Sequence, residues 1–301
     1  MKNLYALFLS LIFSRCIFAL EYNAELRGLS DGASHKARVG VVTIEGPIEE
    51  ARYYVDELVT FFRDPSIRAL LLVIDSPGGS PGASEAIYRV IREYKEKYKK
   101  PVIVFVESLC ASGGYFIAAA ADCIISTESA LVGSVGVIWQ TWRLKKFIEQ
   151  IGIKREIVTA GLYKAVGNSY LEGDNKEHQE YIQALLKDHY DIFLELVVAG
   201  RPSLAQVSPD LWANGKIFVG RKAFEIGLVD KIGAFPTVKK TIKESANIVG
   251  NIDWVHLPKP DQNLESQEKA SNSEKSLMKQ LISEFLANFH VAAGPRAEYI
   301  P

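Results

Sequence analysis

Three stretches of this chain crowd small residues where a strand is expected to end: Asp75-Ser76-Pro77-Gly78-Gly79-Ser80, Cys110-Ala111-Ser112-Gly113-Gly114-Tyr115 and Ala160-Gly161-Leu162-Tyr163-Lys164-Ala165-Val166-Gly167. Open α/β sheets place their sites at such strand ends. Pro77-Gly78 suits the centre of a type II turn, and a further glycine at 79 lets backbone N–H groups meet a ligand with no side chain in the way. By itself the stretch is also an ordinary turn. Ser112, between a strand and a helix of small residues, can sit at a sharp bend, with N–H groups of the helix start available to an oxyanion. It is not a G-x-S-x-G elbow, because residue 110 is Cys, and alone it reads equally as a helix-capping serine.

A serine hydroxyl needs a base to become a nucleophile. The five histidines are His35, His178, His189, His256 and His290, so none lies between 36 and 177. His178 and His189 fall near the apolar stripe of a long helix and read as core or edge residues, which leaves a Ser-His-Asp triad without support. Lysine is the other base, once burial leaves its amine neutral. Lys164 lies among small and apolar neighbours that favour desolvation, although the spacing also allows an exposed loop lysine. With no C-x-x-C and no H-x-x-x-H spacing, neither a metal nor another cofactor is expected.

The elements that must position these residues alternate. Residues 39–44 and 69–74 are β-branched or apolar runs that read as strands, and 101–106 is another. Between them, 49–62 sets Val55, Leu58, Val59 and Phe62 at helical spacing, and 84–98 sets Ile87, Ile91, Tyr94 and Tyr98 on one face. Residues 113–121 read as a helix of small residues. This succession predicts an α/β fold with helices packed on a mainly parallel sheet. Further on, 135–139 and 156–158 read as strands, and 176–199 as a long helix with Ile182, Leu185, Leu186, Phe193, Leu196 and Val197 on its inner face. Segments 216–219, 223–228, 238–246 and 252–257 complete one domain, 39–257.

The charge balance is close to neutral, 35 Lys+Arg against 36 Asp+Glu, which argues against nucleic acid as a partner. With 48% hydrophobic residues the chain is too apolar to be disordered. Residues 1–20 hold Lys2 and Arg15 but no acid, and their apolar run is short and interrupted, the pattern of a signal peptide or signal anchor. Arg15 directly before Cys16 argues against lipid attachment there. Cys110 and Cys123 lie among apolar residues and are expected as buried thiols. A linker at 21–38 precedes the domain. A polar linker follows at 258–275, then an amphipathic helix and tail at 276–301 with Leu277, Leu281, Ile282, Phe285, Leu286 and Phe289 in one stripe. That helix is expected to dock on the parent domain or on a neighbouring subunit.

Taken together, LLLVIDSPGGSPGASEAI, VFVESLCASGGYFIAAAADCIISTESALVGSVGVI, GLYKAVGN and GKIFVGRKAFEIGLVDKIG resemble, in order, the signal peptide peptidase A family (peptidase family S49). The resemblance implies a ClpP/crotonase-like fold of repeated β-β-α units that assembles into homo-oligomeric rings. It also implies a membrane-anchored bacterial serine endopeptidase on the extracytoplasmic face of the inner membrane. By position, Ser112 matches the nucleophile, Lys164 the general base, and Ser134 a serine that holds the lysine amine; backbone N–H groups of Gly78, Gly79 and Gly113 match the oxyanion donors. Peptides such as signal-peptide remnants would be the substrates. Gly167-Asn168-Ser169 departs from the proline-containing stretch of the family and leaves the conformation of that loop open. Two other readings are an acyl-CoA enzyme of the crotonase type and a noncatalytic ring-forming scaffold that binds peptides at the membrane. The joint presence of Ser112, Ser134 and Lys164 favours the protease.

Overall fold

Strands buried on both faces need no polar side, and this is why the central strands read as unbroken apolar runs. The computed structural model describes residues 36–171, 173 and 175–258; the expected leader, most of the first linker and the amphipathic helix at 276–301 lie outside them. In chain order the described elements are β1 (Ala37–Glu45), α1 (Arg52–Arg63), β2 (Ile67–Asp75), α2 (Pro81–Tyr98), β3 (Val102–Val106), β4 (Leu109–Ala111), α3 (Gly113–Ala118), β5 (Cys123–Ser126) and β6 (Leu131–Gly133). There follow α4 (Lys145–Gln150), α5 (Lys176–Gly200), α6 (Pro209–Trp212), β7 (Ile217–Val219), α7 (Gly220–Glu225), β8 (Lys231–Ile232), α8 (Phe235–Ser245) and β9 (Ile252–Val255).

A six-stranded sheet runs β8-β5-β3-β2-β1-β9, parallel at every neighbouring pair. The expected α/β fold with a parallel sheet is therefore the one that forms. A second sheet, β4-β6-β7, pairs β4 with β6 in parallel and β6 with β7 antiparallel. Each of the pairs β3-β4 and β5-β6 sends its first strand to the large sheet and its second to the small one, which is the β-β-α unit repeated.

On one face of the large sheet Val39, Val41, Leu71, Ile103, Phe105 and Ile125 join Phe235, Val238 and Ile242 of α8 in a buried cluster. The other face meets α1, and Gly40 there admits the Phe61 ring: a Cβ at Gly40 would lie 2.7 Å from it. Cys110 and Cys123 are buried free thiols, as expected.

Two expected strands are absent. Gly133 (φ +115°) and Ser134 (φ +52°) turn the chain out of β6, so 135–139 has no strand to pair with, and Ile138 and Trp139 end exposed. Residues 156–158 are likewise irregular, with Val158 99% exposed. Helix α5 forms nearly as read, but only Phe193 and Val197 of its stripe are fully buried. Its C-terminal end is the anchored one. The Tyr88 hydroxyl donates to the Leu196 carbonyl (2.6 Å), a Cβ on Gly200 would fall 2.0 Å from the Ala119 carbonyl oxygen, and Arg201 just beyond makes two 2.6 Å bonds to Asp230. No helix among the described residues is long and apolar enough to cross a membrane.

Candidate active site

Ser112 sits in the one-residue step between β4 and α3 at φ +52°, ψ −120°. A serine in that region carries about 1–3 kcal/mol of strain, so its surroundings must hold it. They do: its N–H donates to the Gly133 carbonyl (2.8 Å), and its carbonyl accepts the Phe116 N–H (2.9 Å) as the first bond of α3. The glycines after it follow from packing. A Cβ on Gly113 would fall 2.4 Å from Ser84 Oγ, and one on Gly114 would fall 3.2 Å from the Ser76 carbonyl oxygen.

Ser134 stands one register step beyond the Ala111–Gly133 pair of β4 and β6, beside Ser112 at the ends of parallel strands. It too has φ +52°, fixed by its N–H bond to the Lys216 carbonyl (2.7 Å). Both serines line a cavity of about 620 Å³ with Gly79, Gly113 and the apolar side chains of Phe116, Ile138, Ile192 and Phe193. Phe116 itself packs between Tyr88 and Phe193, with ring centroids 5.4 and 4.7 Å away.

The three candidate oxyanion glycines divide. Ile48 pairs with the turn by donating to the Gly78 carbonyl (2.9 Å) and accepting from the Ser80 N–H (2.7 Å). A trans peptide points its N–H opposite to its C=O, so the Gly79 N–H faces away from Ile48 and toward Gly113. A Cβ built on Gly113 would lie 3.3 Å from the Gly79 nitrogen. The Gly113 N–H, at the first position of α3, has no intrahelical partner. The Gly78 N–H is already bonded to Ser76 Oγ (3.1 Å), and Gly78 is buried beneath the cavity. Gly79 and Gly113 thus line the cavity together with the two serines, whereas the N–H of Gly78 is taken up by Ser76.

Lys164 is not brought to this cavity. It lies in a turn, its N–H bonded to the Gly161 carbonyl (3.2 Å), and its side chain is exposed, so the burial expected from its neighbours does not occur within the single chain. The residue before it straps the turn to α5: Tyr163 donates to Glu177 Oε1 (2.9 Å), and its ring lies 4.8 Å from that of Tyr181. The half-buried His178, its ring 6.0 Å from that of Tyr163, and His189, exposed on α5 at the cavity wall, are the edge rather than the core histidines of that expectation. Tyr190, which the sequence reading passed over, lines the cavity and donates to the Ala213 carbonyl (2.6 Å). Only its place on α5 next to His189 could have signalled it. Burial pushes the Cys110 thiol far up and that of Cys123 up to about 11, so both are inert at neutral pH. Among the described residues, no three His, Cys, Asp or Glu side chains gather to hold a metal ion.

Comparison with known proteins matches residues 94–249 to the peptidase family S49 model and residues 31–146 to the Clp protease model. A Methanocaldococcus jannaschii protein is 35% identical over 200 residues, which cover 66% of this chain and 63% of that one. Protease 4 of Haemophilus influenzae is 34% identical over 228 residues, 72% of this chain and 36% of its own length. A Synechocystis protein is 31% identical over 237 residues, 75% of this chain and 82% of that one. The chain thus spans less than two thirds of the first two relatives.

Proposed function

Because the chain belongs to peptidase family S49, we propose that it is a serine endopeptidase with Ser112 as nucleophile, Lys164 as general base and Ser134 holding the lysine amine. One observation supports this reading: Ser112 is held at positive φ and lines the same largely apolar cavity as Gly79 and Gly113, the residues whose N–H groups would serve an oxyanion. The neutral Lys164 amine takes the Ser112 proton as Oγ attacks a peptide carbonyl. The carbonyl oxygen becomes an oxyanion on the Gly79 and Gly113 N–H groups. Collapse expels the amine, which leaves with the proton from Lys164. Water, deprotonated by the lysine in turn, then hydrolyses the acyl ester and returns Ser112.

The lining of Phe116, Ile138, Ile192 and Phe193 suits small or apolar side chains of an extended peptide, consistent with signal-peptide remnants as substrates. A lysine acts as base only when neutral, and burial is what favours the neutral amine. Lys164 must therefore be covered when it works. In the stretch of chain leading up to it, Ile138, Trp142, Phe147, Ile151 and Leu162 all expose more than half their surface. A homo-oligomeric ring would cover that apolar surface, bury Lys164 and bring it to a Ser112. Residues 1–20 would hold the assembly at the extracytoplasmic face of a bacterial inner membrane.

Ser112→Ala and Lys164→Ala are expected to abolish peptide hydrolysis with folding and assembly intact, and a fluorophosphonate is expected to leave its mass adduct on Ser112. Wild-type turnover in either variant rejects the dyad. A monomer by light scattering that still turns over rejects the ring.

A further inference from the structure

Ser76 is fully buried and has a partner for every polar atom. Its Oγ donates to the Gly46 carbonyl (2.7 Å) and accepts the Gly78 N–H (3.1 Å). Its N–H donates to the Leu109 carbonyl (2.9 Å), and its own carbonyl accepts the Ala111 N–H (3.0 Å). Gly46 follows β1, Gly78 is in the turn after β2, and Leu109 and Ala111 are β4, the strand that leads into Ser112. One residue joins all three.

The two backbone bonds could come from any residue type, and they set the distance from β2 to β4. The hydroxyl does something else. The Gly79 N–H belongs to the Gly78–Gly79 peptide unit, whose orientation is set by the torsions of the two glycines around it, the least restricted torsions available to a chain. Ile48 holds the carbonyl of that unit; Ser76 Oγ holds the N–H of the unit before it. Fixing both peptide planes fixes Gly78 at its φ of +98° and leaves the Gly79 N–H one direction, into the cavity.

We infer that Ser76 is a positioning residue for the oxyanion site: its hydroxyl locks the Gly78 peptide so that the Gly79 N–H stays aimed at the substrate carbonyl oxygen. The inference rests on Ser112 as the nucleophile. Without Oγ, the Gly78 N–H and the Gly46 carbonyl lose their partner, and the turn regains the glycine freedom that the bond removes. The Gly113 donor, fixed by α3, is left in place, so the loss falls on one of two donors.

The test uses Ser76→Ala and, as a variant of nearly unchanged volume with a weak acceptor in place of the hydroxyl, Ser76→Cys, both in the full chain. Per folded molecule, each is expected to lower kcat by about 10–100-fold, short of complete loss of an oxyanion donor, with KM within about twofold of wild type. Amide hydrogen exchange at Gly78 is expected to quicken in both. A merely structural role would lower the folded fraction and leave kcat per folded molecule unchanged. Wild-type kcat in a folded Ser76→Ala or Ser76→Cys protein overturns the proposal, and so does unchanged Gly78 exchange. Ser112→Ala is run alongside: if it hydrolyses peptide like wild type, the nucleophile assignment falls, while the Gly78 exchange still decides whether Ser76 locks the turn.

Discussion

Replacing Gly78 by alanine probes the close approach of the glycine turn to the β4–α3 junction. A Cβ there would stand 2.6 Å from the Gly113 nitrogen, 2.8 Å from Ser112 Cβ and 3.0 Å from the Ala111 carbonyl oxygen, against 3.4 Å where ordinary contact begins. Two of those three atoms are backbone, so the turn and the β4–α3 junction must part by about 0.8 Å. At φ +98° the new side chain also strains its own backbone, by about 1–3 kcal/mol. A displacement of that size between nucleophile and oxyanion donors is worth about 10²-fold in rate. For a domain of this size the strain lowers Tm by about 2–12 °C. The rate of fluorophosphonate labelling at Ser112 reads the first effect, and thermal unfolding reads the second. Gly82, in the first turn of α2 with nothing within 4 Å of its missing Cβ, is the control. Gly82→Ala is expected to label like wild type and to melt at the same or a slightly higher temperature. Wild-type labelling and melting in Gly78→Ala would show that the turn does not lie against Ser112 as described.

Two further outcomes concern stability. Asp230→Ala strands the guanidinium of Arg201, only 8% exposed at its side chain, and is expected to remove about 3–5 kcal/mol in urea unfolding; the double replacement Arg201→Met/Asp230→Leu is expected to lose less. The second is alkaline. Burial, more than the nearby Asp230, pushes the Cys123 thiol from 9.0 up to about 11, and burial drives the Cys110 thiol and the Tyr115 phenol higher still. The folded state therefore keeps protons that the unfolded chain gives up first, so stability is full below pH 9 and falls as pH rises from 9 toward 11. Tm measured across that range is expected to decline, less steeply in Cys123→Ala; a flat profile contradicts the burial of these groups.

The large sheet was legible because Ile67–Asp75 and Val102–Val106 are long enough for their apolar runs to stand out. The strands β4 and β6 were not, at three residues each, too short for any period to register. Residues 135–139 misled for the opposite reason: the apolar pattern is there, but the turn at Gly133-Ser134 denies it a pairing partner. In the site, the motifs located Ser112 and the glycine turn. They could not say which of the two turn glycines presents its N–H, since that choice belongs to Ile48, thirty residues earlier in the chain. The exposure of Lys164 was equally hidden, because small and apolar neighbours in sequence do not enclose a side chain unless other elements fold over it.

Helix α5 has the mechanics of a lever. Its 25 residues span about 37 Å, and its fulcrum is the tight seat of Gly200 on Ala119, just past the helix that Ser112 opens. The Lys164 turn is tied near the other tip, through Tyr163 and Glu177. A tilt of about 3° at the seat carries that tip about 2 Å, most of the difference between a hydrogen bond and no contact. The registration of the lysine is thus set far from the lysine, and a single added methyl group at residue 200 would be felt at the tip.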